Sequence, residues 1–180
     1  MSRYIYSLLL VFVSFLLPAG QTYAQINTER VMNIGRNALY FDDYVLSIQY
    51  FNQVIKVKPY MAEPYFYRAV AKLNLEDFKG AEEDCTLCIE RNPFLTDAYQ
   101  VRGIARQSLG DYQGAVDDYT RGLQMAPEDR TNLNNKALAL AQMERYDEAE
   151  SSFAELIRLH PNYWNGYMLS LIHISEPTRL

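Results

Sequence analysis

Pro59, Pro93, Pro127 and Pro161 stand 34 residues apart, and that spacing rules out most of the folds open to the chain. The same shift superimposes Tyr44, Phe78, Tyr112 and Tyr146; Gly35, Ala69, Gly103 and Ala137; Ser47, Ala81, Ala115 and Ala149; and Ile55, Ile89, Leu123 and Ile157. A sequence that repeats in register repeats one supersecondary unit, and units too small to hold a core alone must stack on their copies.

The stretch from Thr96 to Pro127 displays the unit. Ala98, Tyr99, Gly103, Ile104 and Leu109 recur at near-helical spacing, Gly110 and Asp111 break the run, and Tyr112, Ala115, Val116, Tyr119, Gly122, Leu123 and Met125 form a second apolar stripe that ends before Pro127. Each half runs about 14 residues, marginal for an isolated helix in water. Small residues fall where two helices approach closely, rings and branched chains fill the gaps, and proline ends the second helix because it lacks an amide to donate. The frame predicts paired helices at about 28–41 and 44–58, 62–75 and 78–91, 96–109 and 112–125, and 130–143 and 146–160, with boundaries uncertain by two or three residues.

A 34-residue period with this column pattern resembles the tetratricopeptide repeat family, over Thr28 to Met168. The resemblance implies an all-α, right-handed solenoid of helix-turn-helix repeats at 28–61, 62–95, 96–129 and 130–163, with a truncated fifth repeat at 164–168 after a lead-in at 25–27. It also implies a non-enzymatic protein-interaction scaffold. Linkers of two to five residues leave no domain boundary inside the array.

Neither end belongs to the expected array. Met1 to Ala24 has a positive charge at Arg3, an apolar core from Leu8 to Leu17, a breaker at Pro18 and small residues before Gln25, the layout of a secretory signal peptide cleaved after Ala24. The apolar run is short of the roughly 20 residues of a membrane span, and no Cys follows it to carry a lipid. The expectation is export to a bacterial periplasm or cell surface, with no membrane span in the mature fragment. Leu169 to Arg179 abandons the frame and resembles a translated sequencing-library adapter, so 169–180 is expected to be a non-native tail and the gene to continue past Met168. His173 and Glu176 would then carry no function. With the fifth repeat cut short, the face of Phe153, Leu156 and Ile157 is expected to be partly uncovered, with Trp164 and Tyr167 as its lid.

The chain carries 17 Lys and Arg against 22 Asp and Glu, a net charge of −5. An acidic surface is unsuited to phosphate backbones, so no nucleic acid is expected as a partner. Cys85 and Cys88 form a C-x-x-C, yet they occupy the columns of Phe51 and Val54, Tyr119 and Gly122, and Phe153 and Leu156, which are core columns. Two small buried residues are expected there rather than a redox or metal site. Arg68, Arg102 and Lys136 share one column and Lys72 and Arg106 another. They are expected to form weak exposed pairs with Glu83, Asp84, Asp117 and Asp118, with a cationic ladder for an acidic ligand as the alternative. No glycine-rich phosphate loop, nucleophile elbow or H-E-x-x-H occurs. Neither catalysis nor a cofactor nor a metal is expected.

In the resembled family the first helix of each hairpin lines a concave surface. One stripe of those helices reads Glu29, Met32 and Arg36; Glu63, Phe66 and Val70; Asp97, Gln100 and Ile104; and Thr131, Asn134 and Leu138. It is acidic at one rim and apolar along its floor, suited to a peptide or protein segment laid across several repeats. Phe66 and Met32 would anchor it, and Gln100 and Asn134 would bond its backbone. The Lys and Asn clamp by which chaperone-binding members grip a terminal carboxylate is replaced here by Met32, Arg36, Tyr67, Asp97 and Val101. Two other classes fit the sequence: the docking or sensor arm of a longer signalling or enzymatic protein, and an outer-membrane assembly or uptake accessory. Nothing in the residues sets an oligomeric state.

Overall fold

The computed structural model describes residues 27–161, and among them it contains eight α-helices and no strand. They are α1 (Thr28–Tyr40), α2 (Tyr44–Val57), α3 (Glu63–Asn74), α4 (Phe78–Arg91), α5 (Thr96–Ser108), α6 (Tyr112–Met125), α7 (Arg130–Gln142) and α8 (Tyr146–Leu159). Each bound lies within one residue of the expected helix. The N-terminal leader, Trp164, Tyr167 and the C-terminal tail lie outside the described residues.

The local chemistry that makes the hairpins repeats with the period. Asp43, Asp77 and Asp111 cap α2, α4 and α6, each carboxylate accepting from the amide three residues on at 2.9–3.1 Å. The residue before the cap takes a left-handed conformation in every hairpin: Asp42 (φ 61°), Glu76 (φ 62°), Gly110 (φ 83°) and Glu144 (φ 60°). This αL residue reverses the chain in two or three residues, at a conformational cost that only Gly110 escapes.

Consecutive helices pack along the whole chain, and each first helix also touches its counterpart in the next hairpin: α1 with α3, α3 with α5, α5 with α7. The result is an all-α solenoid whose first helices share one side. Its core is built from the periodic columns. Gly103 lets the Tyr119 ring approach so closely that a methyl on it would lie 2.5 Å from Tyr119 Cε1. Phe153 and Leu156 are fully buried against Leu133 and Ala137 of α7. The expectation that they would be uncovered is therefore incorrect. They face back into their own hairpin; Ile157 alone of the three is half-buried.

The cationic column is the core's departure from apolar packing. Asp84, 2% exposed, accepts from Arg68 Nε at 2.8 Å and Nη2 at 2.5 Å and pairs with Lys72 Nζ at 2.9 Å. One repeat later Asp118, 3% exposed, accepts from Arg102 Nε at 2.9 Å, Arg102 Nη2 at 2.7 Å and Arg106 Nη1 at 2.9 Å. Burial opposes the charge of Arg102, and the bonds to Asp118 more than offset it, so the guanidinium pKa is raised. Each rung reaches the preceding repeat: Arg68 Nη1 donates to Asn52 Oδ1 at 2.6 Å, Arg102 Nη1 to Thr86 Oγ1 at 3.2 Å, and Arg106 Nε to Glu82 Oε1 at 3.1 Å. Pairing is thus the arrangement found, but through the buried Asp84 and Asp118. Glu83 and Asp117 are exposed, and Lys136, facing a repeat with Ser152 in the carboxylate column, makes no ion pair among the described residues.

Candidate functional site

The shared side of the first helices carries the expected stripe. Phe66, Val70, Gln100, Ile104, Asn134 and Leu138 are half-buried and Arg36 is exposed. Phe66 rests on the cluster of Tyr65, Cys88 and Ala98, Ile104 on that of Val116 and Tyr119, and Leu138 on that of Leu133 and Phe153. Each therefore supports the core with one face and leaves the other to the groove. Met32 does not belong with them. It is 4% exposed and packed with Phe51 and Val54, with Met61 and Tyr67 of the next hairpin beside it. Its long, flexible thioether chain fills the core and offers a ligand nothing.

In the first two repeats the groove is aromatic. Tyr67 stacks on Phe51 at 5.6 Å between centroids, meets Phe66 edge-on at 5.3 Å, and lies under the Arg36 guanidinium at 5.7 Å. Arg36 is also held by the Asn33 carboxamide. In the last two repeats the chemistry changes to neutral polar groups. A cavity of about 550 Å³ opens between α5, α6 and α7, lined by Ile104, Gln107, Ser108, Tyr112, Asn135 and Gln142. The acidic rim of Glu29, Glu63 and Asp97 is exposed.

The first-helix stripe, taken at i, i+3 and i+7, reaches this cavity only at Ile104. Extending it three residues gives Leu39, Leu73, Gln107 and Ala141, and Gln107 is the polar member of that set. In the sequence Tyr67 stands only among the residues that replace a carboxylate clamp; its place beside Phe66 follows from packing on Phe51.

Cys85 and Cys88 are fully buried free thiols. Burial is the main force pushing the Cys85 thiol far above the usual cysteine range and Cys88 up to about 11. Both are protonated at neutral pH, which leaves little thiolate for exchange. Among the described residues no group of three or more His, Cys, Asp and Glu is placed to hold a metal ion, and no helix is long and apolar enough to cross a membrane.

Stacked helical hairpins with a groove along their first helices define a helical-repeat protein. Residues 101–163 match the tetratricopeptide repeat family. Similar solved structures include MamA, residues 41 to end, from Desulfovibrio magneticus RS-1 (TM-score 0.73, 15% identity, 78% of this chain and 79% of that one). The first tetratricopeptide repeat domain of Spaghetti (RPAP3), bound to the HSP90 peptide SRMEEVD, has a TM-score of 0.64 and 26% identity over 65% of this chain and 93% of that one. The Arabidopsis OM64 tetratricopeptide repeat domain has 0.61 and 28% over 62% and 93%. No curated protein matches the chain.

Proposed function

We propose that this protein is a non-enzymatic interaction scaffold, exported to a bacterial periplasm or cell surface, that holds a peptide or protein segment in the groove along its first helices. The observation that carries the reading is the row of half-buried Phe66, Val70, Ile104 and Leu138, with Gln100 and Asn134 beside it to bond an extended main chain. Export rests on the leader from Met1 to Ala24.

The HSP90 peptide held by RPAP3 carries acidic residues near its end. This groove has the opposite complement. Arg36 is the one cation of the stripe, and Glu29, Glu63 and Asp97 border it, so an acidic terminus would meet like charge at the rim. The partner segment is therefore apolar with neutral or basic flanks.

The test uses peptides selected by the protein from a displayed random library and titrated by fluorescence anisotropy. Phe66→Ala with Gln100→Ala should weaken binding tenfold or more while leaving the far-UV helix signal intact, because an interface aromatic and a buried hydrogen bond together are worth about 2 kcal/mol or more. Equal affinity in the double variant would sink the groove assignment.

A further inference from the structure

The column that fills the centre of each hairpin reads Phe51, Cys85, Tyr119 and Phe153, and the column at the lower end of the groove reads Leu39, Leu73, Gln107 and Ala141. One repeat of the four has a hydroxyl in the first column, and it is also the one with a carboxamide in the second. The two meet: Tyr119, whose ring is fully buried, donates its hydroxyl to Gln107 Oε1 at 3.0 Å. Gly103 makes the room the ring needs. A pair of polar substitutions at two core-facing columns would cost stability if the groups were not joined, and their joining fixes the Gln107 carboxamide with its oxygen inward. Its Nε2 is left as a donor in the groove.

Around that amide the cavity supplies more neutral polar groups. Asn135 sits beside the Tyr119 hydroxyl and accepts from Asn134 Nδ2 at 3.1 Å. Gln142, Ser108 and Tyr112 add a carboxamide and two hydroxyls, and Ile104 makes an apolar wall. None of the six described lining residues is charged. A carboxylate or ammonium entering here would find no counter-ion among them, whereas a neutral amide would find both donors and acceptors.

We propose that this cavity is a subsite for a primary carboxamide, the Asn or Gln side chain of the segment bound in the groove, with Gln107 Nε2 donating to the ligand oxygen and Gln142 completing the exchange. The proposal rests on the groove reading and adds a residue preference to it. Burial, with a smaller push from Asp118, raises the Tyr119 hydroxyl well above the ordinary tyrosine range, so it remains a donor to Gln107 at physiological pH.

The experiment follows the side-chain amide resonances of the isotopically labelled protein by NMR as acetyl-glutamine methylamide, acetyl-glutamate methylamide or acetyl-alanine methylamide is added. A probe of this size binds with a Kd on the order of 1 mM. The glutamine probe should shift Gln107, Asn135 and Gln142 saturably, the other two at least tenfold more weakly. Gln107→Leu with Tyr119→Phe, which installs the pair of residue types found in the first repeat, should abolish the shift with the fold retained. Should that variant not fold, Gln142→Ala, at an exposed position, should weaken the glutamine probe at least threefold. Equal response to the alanine or glutamate probe, or survival of the shift in the variant, overturns the subsite. If selected peptides still depend on Phe66 in that case, the groove stands without the subsite; if they do not, both readings fall.

Discussion

Replacing Asp118 by Ala removes the carboxylate that Arg102 and Arg106 share. Three charge-assisted bonds of 2.7–2.9 Å are lost, and two guanidiniums with side chains only 14% and 22% exposed are left facing each other. Stripping one partner from a buried pair costs about 3–5 kcal/mol. Arg106 keeps Glu82 at 3.1 Å, which places the expected loss at the lower end, about 3 kcal/mol. Urea unfolding followed by far-UV circular dichroism should then show a midpoint lower by about 1.5 M, for a slope near 2 kcal/mol/M. Installing the first repeat's residue types throughout, Arg102→Ile, Arg106→Ala and Asp118→Tyr, removes the charges together with their partner. That variant should return to within about 1.5 kcal/mol of the native protein, because a buried ion pair offers little net stability over well-packed apolar groups. A loss below about 1 kcal/mol for Asp118→Ala, or a triple variant no better than the single one, would refute this account of the rungs.

Three further outcomes follow from the same geometry. Glu144, at φ 60°, should gain about 0.5–1 kcal/mol on Glu144→Gly, and Gly110→Ala should lose about 1 kcal/mol, both read as thermal midpoints. Asn132 is fully buried with neither carboxamide atom bonded among the described residues; Asn132→Ala, the type found at Ala98, should stabilise by about 1 kcal/mol in urea, since an unsatisfied buried amide costs about 1–3 kcal/mol. The thiols set a pH dependence: folded Cys88 holds its proton up to about 11 while the unfolded chain releases it near pH 8.5. The folded state therefore binds more protons in that window, and stability should be full below pH 8.5 and fall as pH rises toward 11. Cys85→Ala with Cys88→Ala should flatten the fall between pH 8 and 9.5, and an unchanged slope would remove the thiols as its cause.

The helices were legible because the signals that make them repeat: proline at the end of each second helix, aspartate before α2, α4 and α6, small residues at the crossings. The ionic rungs were legible as well, since Arg68 and Asp84 stand at the same offset as Arg102 and Asp118. Their burial was not, because a column of charge reads as surface until the neighbouring repeat is laid over it. Met32 and Phe66 show the same limit in the groove. Both are apolar and share a column; Met61 and Tyr67 both pack on the cluster of the first, whereas on the cluster of the second Leu95 packs and the ring of Tyr67 has no counterpart. The Tyr119–Gln107 pair eluded the periodic reading because periodicity averages over repeats, and this pair is where one repeat differs from the rest.

The rungs act as latches between successive hairpins. Arg68 ties the second repeat to Asn52 of the first, and Arg102 and Arg106 tie the third to Thr86 and Glu82 of the second. At the junction of the third and fourth the tie is neutral at its acceptor: Arg145 Nη1 donates to Gln113 Oε1 at 2.9 Å, while the unbonded Asn132 amide lies against Gly122. Buried ionic bonds thus join the first three hairpins, and an exposed hydrogen bond joins the fourth to them. The carboxamide cavity straddles that joint, so an occupant bridging Gln107 and Gln142 would splint the fourth hairpin to the rest, and hydrogen exchange in α7 and α8 would slow when the groove fills.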